Sequence, residues 1–171
     1  MWIRLAWTLI FLPSVLFAEG VDLQKLQASE TVQHVLYETY LKTDKGPAGV
    51  LGYYFDRYFS QNAYTSLAIF GAVTGDRGGY GVAAVGLGYR IPFSERLSLN
   101  LRALVGSGGG GGVPAGGGFM VETLGTFQYM FEKNLFIDVG CGEIAFPSGS
   151  LRSPIFQIGI SYRSRVLSLP F

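Results

Sequence analysis

From about residue 33 onward, the chain alternates between two kinds of side chain. Between positions 97 and 105, Leu97, Leu99, Leu101, Ala103 and Val105 fall on one side and Ser98, Asn100 and Arg102 on the other. Successive side chains of an extended strand point to opposite faces, so such a segment has one apolar and one polar face. Leu135, Ile137, Val139 and Cys141 oppose Asp138, Gly140 and Gly142 in the same way. Phe156, Ile158, Ile160 and Tyr162 oppose Gln157, Gly159, Ser161 and Arg163. Phe119, Val121, Phe127 and Tyr129 oppose Glu122, Thr126 and Gln128, and Val85, Leu87 and Tyr89 oppose Gly86, Gly88 and Arg90. Two runs, 48–56 and 63–74, are apolar on both faces and have no readable sidedness.

Eight such runs are expected, at 33–43, 48–56, 63–74, 79–91, 96–106, 118–131, 135–145 and 154–164. Most have the length of a tilted strand crossing a bilayer, about 9–11 residues. Turn chemistry separates them: Asp44-Lys45-Gly46-Pro47, Gly75-Asp76-Arg77-Gly78, Pro92-Phe93-Ser94-Glu95 and Glu132-Lys133-Asn134. The longest gaps are the glycine run around 106–117 and Phe146 to Ser153. Much of the glycine lies inside aromatic and β-branched runs, which argues for close-packed strands and against disorder.

Residues 1–18 are apolar with one charge, Arg4. The segment is too short to span a bilayer as a helix, which takes roughly 20 residues. It reads as a secretory signal peptide cleaved after Ala18. Residues 19–32 are polar and read as a periplasmic lead-in, and 33–171 as one barrel domain. A signal followed by alternating strands implies an all-β fold: a closed, antiparallel, up-and-down, eight-stranded transmembrane β-barrel in a bacterial outer membrane. Closure is required because open sheet edges are not tolerated in lipid. Both termini are expected in the periplasm, with the connections after strands one, three, five and seven outside and the two longest of them after strands five and seven. The expected partners of such a protein are outer-membrane lipid, a barrel-assembly machinery and an extracellular partner at the outer loops.

Thirteen basic and twelve acidic residues leave no long-range field to gather nucleic acid. The one cysteine, Cys141, cannot form an internal disulfide. One histidine and one cysteine on distant strands have no metal-ligand spacing, and no cofactor motif is present.

The strand ends Gly86-Leu87-Gly88-Tyr89-Arg90 and Gly159-Ile160-Ser161-Tyr162-Arg163 and the terminal Phe171 belong with this pattern. Over about residues 33–171 the chain resembles small outer-membrane barrels of the OmpA or OmpX type. The resemblance is to an architecture and not to one family. In such barrels a terminal aromatic on the last strand is the assembly signal. Here the last strand is expected to end near Arg163, with Ser164 to Pro170 before Phe171.

Six charged residues fall on the polar face: Glu38, Arg102 and Glu122 toward the middle or outer half, and Asp138, Arg90 and Arg163 nearer the periplasm. Unpaired charge in a narrow interior is costly, and an eight-stranded interior is just wide enough for side chains to fill. An ion-paired plug is therefore expected, with Arg102 contacting Glu122, Glu38 or both. The glycine run 106–118 lacks the Lys-Ser/Thr pair and helix of a phosphate loop, and reads as an outer loop or as strand ends that let backbones approach.

His34 is the only histidine. Lipid A-modifying barrels such as the palmitoyltransferase PagP and the deacylase PagL resemble this chain in size and use a histidine with a serine. No His-x-Ser pattern lies near the C-terminus, and His34 is expected at the periplasmic end of strand one in a structural or solvent-facing role. The expected function is a non-enzymatic, mostly plugged outer-membrane barrel with a structural or interaction role. The alternatives are a PagP/PagL-like lipid-modifying enzyme and a narrow carrier of a small apolar molecule, its cavity opened by Gly86, Gly88, Gly140, Gly142 and Gly159. A soluble lipocalin-type barrel is a further alternative.

Overall fold

Among the described residues the eight runs form eight strands and no helix. The computed structural model describes residues 27–168 apart from position 76. The strands are β1 (Gln27–Tyr40), β2 (Ala48–Tyr58), β3 (Ala63–Thr74), β4 (Gly81–Pro92), β5 (Leu97–Gly109), β6 (Phe119–Glu132), β7 (Leu135–Ala145) and β8 (Arg152–Ser168). Each pairs antiparallel with the next, and β8 closes onto β1, giving one closed barrel in sequence order. The signal segment 1–18, the lead-in up to residue 26 and Phe171 lie outside the described residues.

The two strand limits that depart furthest from expectation do so for one reason. β1 begins at Gln27, ahead of the expected start at 33, and β8 runs to Ser168, past the expected end near Arg163. These two extensions pair with each other, Gln27 with Ser168 through Thr31 with Ser164. They are polar, so hydrophobic alternation does not announce them. Each strand satisfies the backbone groups that the other would otherwise leave open. The shift also moves His34 from a strand end to mid-strand.

The register fixes the barrel's shape. A path perpendicular to the strands from Val32 passes Asp56, Ser66, Gly86, Leu104, Glu122, Ile144 and Ser153. Carrying the Tyr40–Ile155 register two residues on, it returns to β1 level with Lys42, ten residues from its start. For eight strands that stagger corresponds to a tilt of about 40°.

The connections are asymmetric. At one end they span 41–47, 75–80, 110–118 and 146–151; at the other they span 59–62, 93–96 and 133–134. The shortest turn uses Asn134 at φ 64°, a left-handed conformation that Asn tolerates, with a register shift between Met130 and Glu132. The four long connections pack on one another. Arg77 is buried, its guanidinium donating to the Gly112 carbonyl at 2.7 Å, to Thr43 Oγ1 at 3.2 Å and to Asp44. Ser150 N donates to the Pro114 carbonyl at 2.9 Å, and Gly117 N to Ser148 Oγ at 3.0 Å. Gly116, at φ 58°, passes so close to the Ser148 carbonyl that a Cβ there would lie 1.9 Å from its oxygen. The glycine run is thus a tight joint within a cap.

The outward face is apolar around the wall, with Leu67, Ile69, Leu87, Leu101, Val139, Ile158 and Ile160 among its exposed residues. Tyr89, Tyr129, Tyr162, Phe59, Phe93 and Phe131 lie exposed toward the short-turn end. The sidedness of β2 and β3 is now defined: Val50, Tyr54, Asp56, Tyr58, Tyr64, Ser66, Ala68 and Phe70 are buried, while Leu51, Leu67 and Ile69 are exposed.

Candidate functional site

Among the described residues the interior gathers most of the buried polar chemistry, and it is layered. Under the cap lies an apolar cluster that includes Leu36, Val50, Phe70, Val82, Leu104, Met120, Ile144, Phe146 and Leu151. Tyr80 bridges it upward, edge-on to Tyr40 and Phe146 at centroid distances of 6.1 and 6.4 Å.

Below Tyr54 the interior turns polar. His34 stands between two carboxylates, with Nδ1 2.9 Å from Asp138 Oδ2 and Nε2 3.0 Å from Asp56 Oδ2. Each ring nitrogen thus faces a carboxylate oxygen, and Arg102 Nη2 lies 3.4 Å from Nε2. Arg102 Nη2 donates to the same Asp56 oxygen at 2.6 Å, and Ser66 Oγ donates to Asp56 Oδ1 at 2.6 Å. The Arg102 guanidinium lies over the Tyr54 ring at 4.8 Å and the Tyr64 ring at 5.8 Å. Gln128 Nε2 donates to Ser161 Oγ at 2.8 Å, and Gln157 Nε2 donates to Thr126 Oγ1. All of these charged groups are at least 95% shielded from solvent.

On the other side of Tyr54 sit the two glutamates. The Tyr54 hydroxyl meets Glu38 Oε1 closely and lies 3.4 Å from Glu122 Oε1. At the short-turn mouth Glu30 takes Arg90 at 3.0 Å and Arg163 at 3.4 Å. Arg90 lies over Tyr58 and Arg163 over Phe136, each within 5 Å of the ring centroid.

The six residues expected to form one ion-pair cluster therefore fall into three groups. Arg102 and Asp138 belong to the His34–Asp56 network, Glu38 and Glu122 meet at Tyr54, and Arg90 and Arg163 share Glu30. Arg102 makes its ion pair with Asp56, in place of the expected contact with Glu122 or Glu38. Register explains the difference. Arg102 pairs with Leu124 and Glu122 pairs with Leu104, so the two charges are offset by one inward position. Arg102 instead reaches across the lumen to β2. Asp56, His34 and Glu30 were not legible as members. Asp56 sits in a run apolar on both faces, and Glu30 lies in the part of β1 that alternation misses.

The lumen glycines are sockets. A Cβ on Gly88 would lie 2.1 Å from the Tyr64 ring, and one on Gly159 2.7 Å from Leu36. On Gly86, Gly142, Gly140 and Gly159 it would first meet a neighbouring strand's carbonyl oxygen, at 2.0, 2.0, 2.5 and 2.2 Å, with Leu104, Leu124 and the Gln157 amide each at 2.8 Å from the first three. The space each glycine leaves is closed by a neighbouring strand's carbonyl or by a larger side chain. Cys141 is exposed on the outer wall. Among the described residues no group of three His, Cys, Asp or Glu is arranged to hold a metal ion.

No protein-family model and no curated sequence matches the chain. Solved structures do match it in shape. A designed transmembrane β-barrel superposes with a TM-score of 0.59 at 14% identity, covering 80% of this chain and 95% of the design. The outer-membrane protein Ail of Yersinia pestis, in a phospholipid nanodisc, gives 0.53 at 15% identity, over 81% of this chain and all of Ail. The N-terminal β-barrel domain of Pseudomonas aeruginosa OprF gives 0.54 at 10% identity, over 81% and 100%. At these identities the likeness is one of fold: this chain is a closed eight-stranded antiparallel barrel of the kind that crosses membranes.

Proposed function

We propose that this protein is a small integral barrel of a bacterial outer membrane, with a filled lumen and a structural or interaction role carried by its cap of long loops. The observation that carries the reading is the inversion of its two surfaces. Leucine, isoleucine and aromatics face out all round the wall, while histidine, arginine, aspartate and glutamine face in. That arrangement is stable in lipid and would be an aggregating surface in water. It opposes the lipocalin-type alternative, which requires the reverse. The match to Ail, a designed transmembrane barrel and the OprF barrel domain supports the membrane setting.

The packing of the glycine sockets speaks against a carrier, because the thinned wall positions are already occupied. His34 is unsuited to nucleophilic catalysis. Both ring nitrogens are taken by carboxylates, and Ser66 is bonded to Asp56 rather than to the ring. The long loops are the end that projects furthest from the barrel, and in outer-membrane barrels that end is extracellular.

The test is twofold. The protein should resist carbonate washing of outer membranes and come out only with detergent. Deleting its gene should leave the lipid A mass spectrum unchanged. Release without detergent would remove the membrane reading, and a missing or added acyl chain would replace the interaction role with the enzymatic one.

A further inference from the structure

Among the described residues, the mouth at which β1 begins and β8 ends carries more positive charge than it neutralises. A hollow of about 430 Å³ there is lined by Glu30, Lys133, Asn134, Arg163, Ser164 and Arg165. That size lies within the range of small-ligand sites, about 300–1,000 Å³. Three cations thus face one carboxylate, and that carboxylate is already engaged. Glu30 Oε1 accepts from Arg90 Nη1 at 3.0 Å, and Arg163 Nε lies 3.4 Å from the same oxygen without making a hydrogen bond. Arg163 Nε is buried and has no hydrogen-bond partner among the described residues. Among the described residues Lys133 and Arg165 form no ion pair.

The fold holds these groups together. The β6–β7 turn is tied to β8, because Arg163 N donates to the Asn134 carbonyl at 2.8 Å. Lys133 in the turn is thereby kept beside Arg163 on the strand. Arg163 and Arg165 share the inward parity of β8, whereas Ser164 has the outward parity, so the hollow straddles the lip of the barrel. Directly along the outer wall from it lie the exposed side chains of Tyr162 and Ile160.

We propose that this hollow binds a phosphate group, either free or as the head of a phospholipid whose chains lie against the wall at Tyr162 and Ile160. Guanidinium groups present forked donors that match a tetrahedral oxyanion, and lysine adds a compact charge. An anion there gives the exposed Lys133 and Arg165 donors an acceptor and neutralises the surplus charge beside Arg163. A phospholipid fits both halves of the site, the cationic lip and the apolar wall beside it.

The test uses the full barrel in maltoside micelles, read by the ¹⁵N–¹H resonance of the Arg163 Nε–H. Inorganic phosphate is titrated in one arm. In the other the micelles are doped with phosphatidylglycerol or, as control, with diacylglycerol. A saturable shift with phosphate alone assigns a solute site, and one with phosphatidylglycerol but not diacylglycerol assigns a lipid head. In either case the pair Lys133→Gln and Arg165→Gln, both exposed and outside the lumen network, should weaken binding about tenfold or more. Arg152→Gln at the opposite end should leave it unchanged. No shift with either probe, or a shift indifferent to the double variant, overturns the proposal.

Discussion

Arg102 on β5 reaches across the barrel to Asp56 on β2, closing to 2.6 Å between Nη2 and Oδ2. Both side chains are almost wholly buried. This single contact joins opposite walls, and through His34 it extends to Asp138 on β7. Four of the eight strands, β1, β2, β5 and β7, are thereby tied through the lumen as well as edge to edge.

A buried pair of this kind is expensive to break and cheap to replace. Asp56→Asn leaves the Arg102 charge without its counter-charge, and the expected loss is about 3–5 kcal/mol. The double change Asp56→Leu with Arg102→Met removes both charges and should cost less than Asp56→Asn alone. Urea unfolding in lipid vesicles measures both. Equal losses for the single and double variants would mean that the charges are not coupled.

The glycine sockets predict a different kind of damage. Gly88→Ala drives a methyl group into the Tyr64 ring, and overpacking of this sort costs about 1–3 kcal/mol. Tyr64→Leu in the Gly88→Ala background should recover part of that loss, since it empties the space the methyl needs. The same unfolding measurement decides it. No recovery would place the strain in the backbone instead of the ring.

The outward face gives a third expectation. Leu101 and Ile158 are about half exposed on the wall. Replacing either by Arg should weaken insertion by about 2–4 kcal/mol if it sits near the bilayer midplane. Folding yield into vesicles, followed by the shift in gel mobility on heating, tests it. Yields equal to the parent would place the wall outside lipid.

The sequence was most readable where one face is polar and the other apolar. Strands β4 to β8 declare their inward and outward residues at Arg90, Arg102, Glu122, Asp138 and Arg163. β2 and β3 do not, because half of this lumen is itself apolar. Val50, Tyr54, Ala68 and Phe70 face inward and resemble their lipid-facing neighbours Leu51, Leu67 and Ile69. Asp56 was hidden by that ambiguity, and with it the true partner of Arg102. His34 was misplaced for another reason. The first six residues of β1, Gln27 to Val32, are mostly polar and owe their strand to pairing with β8. Pairing across the closure is a long-range fact that no local pattern carries.

Single-channel recording in a planar bilayer tests the proposed filled lumen directly. The cap, the apolar cluster beneath it and the His34–Asp56–Arg102 network together leave no continuous water path in this account. The purified barrel should therefore insert without producing discrete conductance steps. Regular, voltage-stable steps from the purified protein would contradict the account, and their loss in a variant with a bulkier lumen residue would place the path through the interior.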